Sequence, residues 1–283
     1  MRSNTTVLWL LAALLVAPDG ASQGAKKPGA KPGAKEATPV FAMTPEVDKK
    51  LKGGNDSDIR STLDEIRMAG KGGLPAVPAI VDLLQRGTTA STTEAAIDTL
   101  GDVGAEAGSA AVASYAVHRN LKIRRAAVKA LTKTKGPNAV KALRRALSDG
   151  DPMVRGVAAT GLGALKAKDA VPDLFVALDH KVGEAAASIG QLCTPADCEQ
   201  LTGKLGKHPF DIVTSGLDQV LFRPAPEVSD DDKVKVLGKI REMGTQEANK
   251  FLKDVQGRWP KTGSARVKVV IDQAVQATSG SSK

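Results

Sequence analysis

Two cysteines, three histidines and one run of aspartates are the residues of this 283-residue chain whose types invite chemistry. Cys193 and Cys198 bracket Thr194-Pro195-Ala196-Asp197. Thr194 is a natural helix N-cap and Pro195 a natural first helical residue, which puts Cys193 at the end of one helix and Cys198 in the first turn of the next. Two thiols across one tight turn pair in an oxidising compartment, so the expectation is a structural disulfide, with free thiols or a redox-active dithiol as alternatives. A redox dithiol needs an exposed, low-pKa thiolate, and the spacing is not Cys-x-x-Cys. His118, His180 and His208 fall in different segments, none at i, i+4 to a residue completing a recognisable metal motif. Asp230-Asp231-Asp232, following Ser229, has the charge to complement a helix N-terminus rather than to hold a cation. Gly161-Leu162-Gly163 reads as close helix packing, and there is neither a Gly-x-Ser-x-Gly nor a phosphate loop. The sequence therefore nominates no catalytic residue, no cofactor site and no metal ligand.

The basic residues are more informative. The chain has a net charge of +9 and a pI near 9.5. Between Glu106 and Asp149 there is no acidic residue, yet that stretch holds ten Lys and Arg. Arg125, Lys129 and Lys133 are spaced i, i+4, i+8, on the side of a helix away from Ile123, Ala127 and Leu131. Lys141, Arg144 and Arg145 form a second cluster. With Lys122, these seven are the candidate partner-binding patch, and side-by-side stacking of the helices would merge them into one surface. The partner it implies is a protein with an acidic surface. An anionic envelope polymer such as lipopolysaccharide, wall polymer or nucleic acid is the alternative, and a merely solvated face is the bland reading. Nucleic acid is the weaker polymer, because Tyr115 is the only aromatic nearby for base stacking.

These residues are positioned by a repeat. Residues 92–100 (TTEAAIDTL) are echoed 31 positions later at 123–131 (IRRAAVKAL) and again at 154–162 (VRGVAATGL). Ala96, Ala127 and Ala158 fall in register, as do Leu100, Leu131 and Leu162. Apolar positions at i, i+3, i+4, i+7 and i+8 paint one stripe on a helix. A second echo follows each first one: Val112 and Ala116, Leu143 and Leu147, Leu174 and Leu178. Each unit is thus a helix pair, separated by stop-and-start residues at Gly101 and Gly104, Gly136-Pro137 and Gly150-Asp151-Pro152. Looser pairs are expected at 57–69 with 75–86, 182–192 with 195–206, and 230–243 with 245–256, a single helix at 209–222, and a closing helix at 264–278. No strand-like alternation persists, so the fold class is all-α, an α-solenoid of stacked antiparallel helix pairs with a period of about 31 residues.

The units resemble HEAT repeats of the short, PBS-lyase-like subclass. The resemblance rests on Asp151, Val154, Arg155, Ala158, Ala159, Leu162, Gly163, Ala170, Leu174 and Leu178, and on Ile123, Arg124, Ala126, Ala127 and Leu131 in the preceding unit. It is good over 57–206 and weak over 209–278. It implies a fold used chiefly to bind other proteins, with a lyase-type enzyme as a minor alternative. It also implies that Arg124 and Arg155, which share one repeat column, join a structural ladder between units, with Asp149 and Asp151 as partners. Only eight residues are aromatic, which suits thin helix pairs packed through Ala and Leu.

Ahead of the array, Met1-Arg2 and the apolar run Val7–Val16, followed by Gly20, Ala21 and Ser22, have the pattern of a secretory signal peptide over 1–22. The run is short for a membrane span, and retention as an N-terminal anchor is the alternative. Residues 23–44, rich in Gly, Ala, Lys and Pro, read as a disordered tether. Residues 45–278 form the solenoid and 279–283 a flexible tail. The organisation points to a periplasmic or secreted non-catalytic scaffold. Intact mass of protein recovered from outside the cytoplasm should lack the first twenty-odd residues; a chain still beginning at Met1 would show that the segment is retained.

Overall fold

Helix boundaries follow the local chemistry of caps. Thr44 accepts from the Val47 amide and opens α1 (Pro45–Gly53). Asn55 does the same for α2 (Asp56–Met68), and Thr89 for α4 (Ala90–Val103). Between these, a 3₁₀ turn at Gly70–Ala76 leads into α3 (Val77–Arg86). The computed structural model describes residues 41–279, which hold fifteen α-helices. The others are α5 (Ser109–Tyr115), α6 (Leu121–Thr134), α7 (Gly136–Ala146), α8 (Pro152–Ala164), α9 (Val171–Asp179), α10 (Glu184–Leu192), α11 (Pro195–Thr202), α12 (Phe210–Phe222), α13 (Asp230–Met243), α14 (Gln246–Arg258) and α15 (Ala265–Ser279). Asp151, Thr194, Ser229 and Thr245 cap α8, α11, α13 and α14 with their side chains. Each such cap satisfies an amide the helix start leaves orphaned.

The helices form a two-layered solenoid. α2, α4, α6, α8, α10 and α12 stack in order as one layer. α3, α5 and α7 pack beside one another in the second, each also touching the first-layer helix that follows it. The repeat columns meet at the core: Ala96, Ala127 and Ala158, with Leu100, Leu131 and Leu162, are fully buried. Leu143, Leu174 and Leu178 close the core from the second layer. Phe210–Phe222, expected as a lone helix, takes a first-layer place against α10, and α15 packs on both α13 and α14, so the phase of the last pairs differs from that read in the sequence.

Small residues set the spacing of the first layer. Gly101, expected at a turn, lies inside α4, where an added Cβ would sit 2.8 Å from Cα and Cβ of Ala130. The turn is made by Gly104 at φ +70°. Gly161 and Gly163 face Thr132 and Ser188 in the same way, which is the close packing expected of them.

The tether boundary also shifts. The Phe41 amide donates to the Gly72 carbonyl at 3.1 Å, and Phe41 and Met43 lie half-buried against the core. Residues 41–44 therefore belong to the array, because two large apolar side chains find a surface there. The signal peptide, residues 23–40 of the tether, and the tail beyond Ser279 lie outside the described residues.

Gly101→Ala is expected to destabilise by about 1–3 kcal/mol through overpacking, although Ala is the better helix former. Gly238→Ala, within α13 and with nothing within 4 Å of the added Cβ, should stabilise by about 0.5–1 kcal/mol. Denaturant melts of both check the pair; equal effects would mean that the first-layer contact is not limiting.

Candidate partner-binding surface

The seven candidate residues fall on two layers. Lys122, Arg125 and Lys129 of α6 line a depression of about 310 Å³ with Glu94 and Asp98 of α4 and Met153 and Val157 of α8. Lys141 and Arg144 of α7 line another, of about 820 Å³, with Leu165, Lys166 and Asp169. The two rows thus line separate depressions. α6 belongs to the first layer and α7 to the second, which separates these two rows.

Nor does the acid-free stretch remain acid-free in space. Arg125 is held bidentately by Asp151, Nε to Oδ1 at 3.0 Å and Nη2 to Oδ2 at 2.7 Å. Lys133 pairs with Asp102 at 2.7 Å and Arg144 with Asp173 at 2.5 Å. Lys122, Lys129, Lys141 and Arg145 have no carboxylate within ion-pair distance among the described residues. Burial pushes the Asp98 carboxyl up, against the nearby Lys129 charge. The Arg125 guanidinium holds the Asp151 carboxyl below the usual carboxylate range, aided by the Val154 amide that Asp151 caps.

The ladder arginines behave alike up to a point. Arg124 Nη1 donates to the carbonyls of His118 (3.0 Å) and Arg119 (3.3 Å), and Arg155 Nη1 to those of Asp149 (2.9 Å) and Gly150 (3.2 Å), each one period on. Asp149 then takes the Nε and Nη2 of Arg124 at 2.9 and 3.2 Å. Asp151, the other expected partner, is engaged by Arg125 instead.

Cys193 and Cys198 stand where the capping argument put them, with their sulfurs at disulfide distance, 2.08 Å. Both are buried, and Arg223 Nη1 donates to the Cys193 carbonyl at 2.8 Å. The three histidines stay apart: His118 follows α5, His180 follows α9, and His208 precedes α12 beside Asp179 at 3.0 Å. The aspartate run fills the first turn of α13, where Asp231 pairs with Arg266 at 2.6 Å and Asp232 accepts from the Ser229 hydroxyl at 2.6 Å.

Two depressions escaped the sequence reading. A depression of about 290 Å³ between α5 and α7 is lined by Ala116, His118, Arg124, Arg145 and Asp149, among others. Another, of about 420 Å³ between α7 and α9, is lined by Leu147, Asp149, Arg155, Val176 and His180. These are the same columns displaced by one period; following the polar columns as well as the apolar ones would have found them.

The match to known proteins agrees with this geometry. The family model of HEAT repeats matches residues 77–152 and 140–221, just over half of the chain. The chain belongs to the HEAT-repeat family. Among solved structures, this HEAT-repeat chain is similar to the complex of CpcE and CpcF of phycocyanin lyase from Nostoc sp. PCC7120. There the identity is 19%, the match covers 89% of this chain and 100% of that one, and the TM-score is 0.46. It is also similar to a designed armadillo repeat protein, at 14% identity over 83% of this chain and 99% of that one, with a TM-score of 0.42. No curated protein matches the sequence.

The Arg125–Asp151 pair yields a pH prediction. A carboxyl whose folded pKa is depressed stabilises fully above its unfolded value of about 3.9, and that contribution is lost as pH falls through the folded value. Asp151→Asn should therefore melt below wild type at neutral pH, with the gap closing in strong acid. Melting curves across pH check it; a pH-independent gap would assign the loss to the cap alone.

Proposed function

We propose that this HEAT-repeat protein is an exported, non-catalytic scaffold, periplasmic or secreted, that binds a protein partner through an acidic surface on that partner. The observation that carries the reading is the set of cations left over after the inter-unit ion pairs form. Lys122 and Lys129 on one layer, and Lys141 and Arg145 on the other, are exposed and have no carboxylate in ion-pair reach among the described residues. An exposed, unpaired cation gains most from an incoming acidic group, since there is no internal partner to displace. HEAT arrays present long ordered surfaces that suit such contacts. Export is supported by the signal-peptide pattern at the N-terminus.

Capture from the envelope fraction tests this. The wild-type chain should retain a protein at fixed stoichiometry. Lys122→Glu with Lys129→Glu, and separately Lys141→Glu with Arg145→Glu, should leave melting unchanged, and at least one pair should abolish capture at low salt. Retention only of a salt-labile polyanion would instead favour an anionic envelope polymer, and undiminished capture by both folded double variants would make these residues a solvated face.

A further inference from the structure

The two period-related depressions differ at one position, and the difference creates a vacancy. In the first, the Arg124 guanidinium is clamped by two carbonyls at Nη1 and its remaining edge, Nε and Nη2, is filled by the Asp149 carboxylate. In the second, Arg155 makes the equivalent pair of Nη1 bonds to carbonyls one unit on, so its guanidinium is held in the same way. The residue that should complete the pair lies 25 positions after the arginine: Asp149 follows Arg124 by 25, and His180 follows Arg155 by 25. Histidine brings no carboxylate, and no hydrogen bond reaches Nε or Nη2 of Arg155 from any described residue. The free edge is a planar two-donor fork, the geometry that matches a carboxylate bidentately.

The surroundings define what fits. Arg155 lines the depression of about 420 Å³ together with Leu147, Val176 and Ala177 on its apolar side and Arg144, Asp173 and His180 at its polar side. Asp173 is already paired with Arg144, and Asp149, which also lines the depression, with Arg124, so the local charge left unanswered is that of Arg155. Val176 is 58% exposed, an apolar surface beside a cationic fork. We propose that this depression receives an acidic side chain of a polypeptide partner, a Glu or Asp adjacent to an aliphatic residue, whose carboxylate takes on Arg155 the place that Asp149 takes on Arg124. The proposal rests on the reading that the partner is an acidic protein and names where one of its carboxylates docks.

The first depression serves as an internal control. The test uses the full chain with ¹⁵N-labelled arginine and the probe acetyl-Glu-Leu-Glu-Leu-amide at millimolar concentration. The Arg155 Nε–H resonance should shift on titration while that of Arg124, whose edge is occupied, stays in place. His180→Asp supplies the missing carboxylate from within, and should abolish the Arg155 shift without lowering the melting temperature. Arg155→Lys keeps the charge but loses the fork, and should weaken probe binding at least tenfold. The proposal is overturned by an unshifted Arg155 in wild type, by an equal shift with acetyl-Gln-Leu-Gln-Leu-amide, by undiminished binding in folded His180→Asp, or by a response to inorganic phosphate alone. Protein capture that persists in His180→Asp, with the probe response also persisting, would overturn this groove while leaving the acidic-partner reading standing; loss of wild-type capture from the envelope would defeat that reading by itself.

Discussion

The close approach of successive first-layer helices is the constraint on which the rest of the molecule depends. At Gly101 against Ala130, Gly161 against Thr132 and Gly163 against Ser188, one helix meets the next with no room for another carbon. Small residues let the backbones come near and the Ala and Leu columns interlock without voids. Among the described residues no glycine makes a comparable contact between two second-layer helices. Its helices carry Leu143, Leu147, Leu174 and Leu178 inward, and the space between their outer flanks stays open. Two depressions one period apart open there, between α5 and α7 and between α7 and α9.

Across those seams the charges are matched one unit apart. Arg125 meets Asp151, Lys133 meets Asp102, and Arg144 meets Asp173. Exposed pairs of this kind contribute at most about 1 kcal/mol each, so they do not hold the stack together. The Arg124–Asp149 pair is more enclosed and is backed by carbonyl bonds to Arg124, and there the loss of one partner would leave a partly buried charge unanswered. The ladder's main effect is on register and on surface potential: it cancels charge at some positions and leaves it at others.

The fold was legible in the sequence because a 31-residue period writes the core twice, once in Ala and once in Leu, and caps such as Thr44, Asp151, Thr194 and Ser229 punctuate it. The cysteine pairing was legible for the same local reason. The charge map was not. Counting acids within a stretch measures the neighbourhood along the chain, whereas in a solenoid the spatial neighbours of Arg125 and Lys133 are the aspartates 26 positions after and 31 before them. The same blindness hid Arg155, whose unfilled edge is visible only when its unit is laid over the one containing Arg124 and Asp149. The layer assignment was the other loss: Lys133 and Lys141 are close in sequence, but a turn at Lys135 and Gly136, both at positive φ, sends them to different sides.

Towards the C-terminal side, where the repeat fades, aromatics gather at the edges of the core. The family match ends at residue 221, and beyond it half-buried aromatics flank a core still built from aliphatic residues such as Leu237, Ile240, Leu252 and Ile271. Phe210 meets Phe251 edge-on at 6.3 Å between centroids, and Phe222 meets Trp259 at 5.7 Å. Lys233, buried and with its ammonium pushed towards neutrality by that burial, lies 5.8 Å from the Trp259 ring and donates to the Arg223 carbonyl. Arg258 stacks on Phe222 and reaches back to Asp218. Bulky rings at the edge of that core cover large area in a less regular space than a leucine stripe fills.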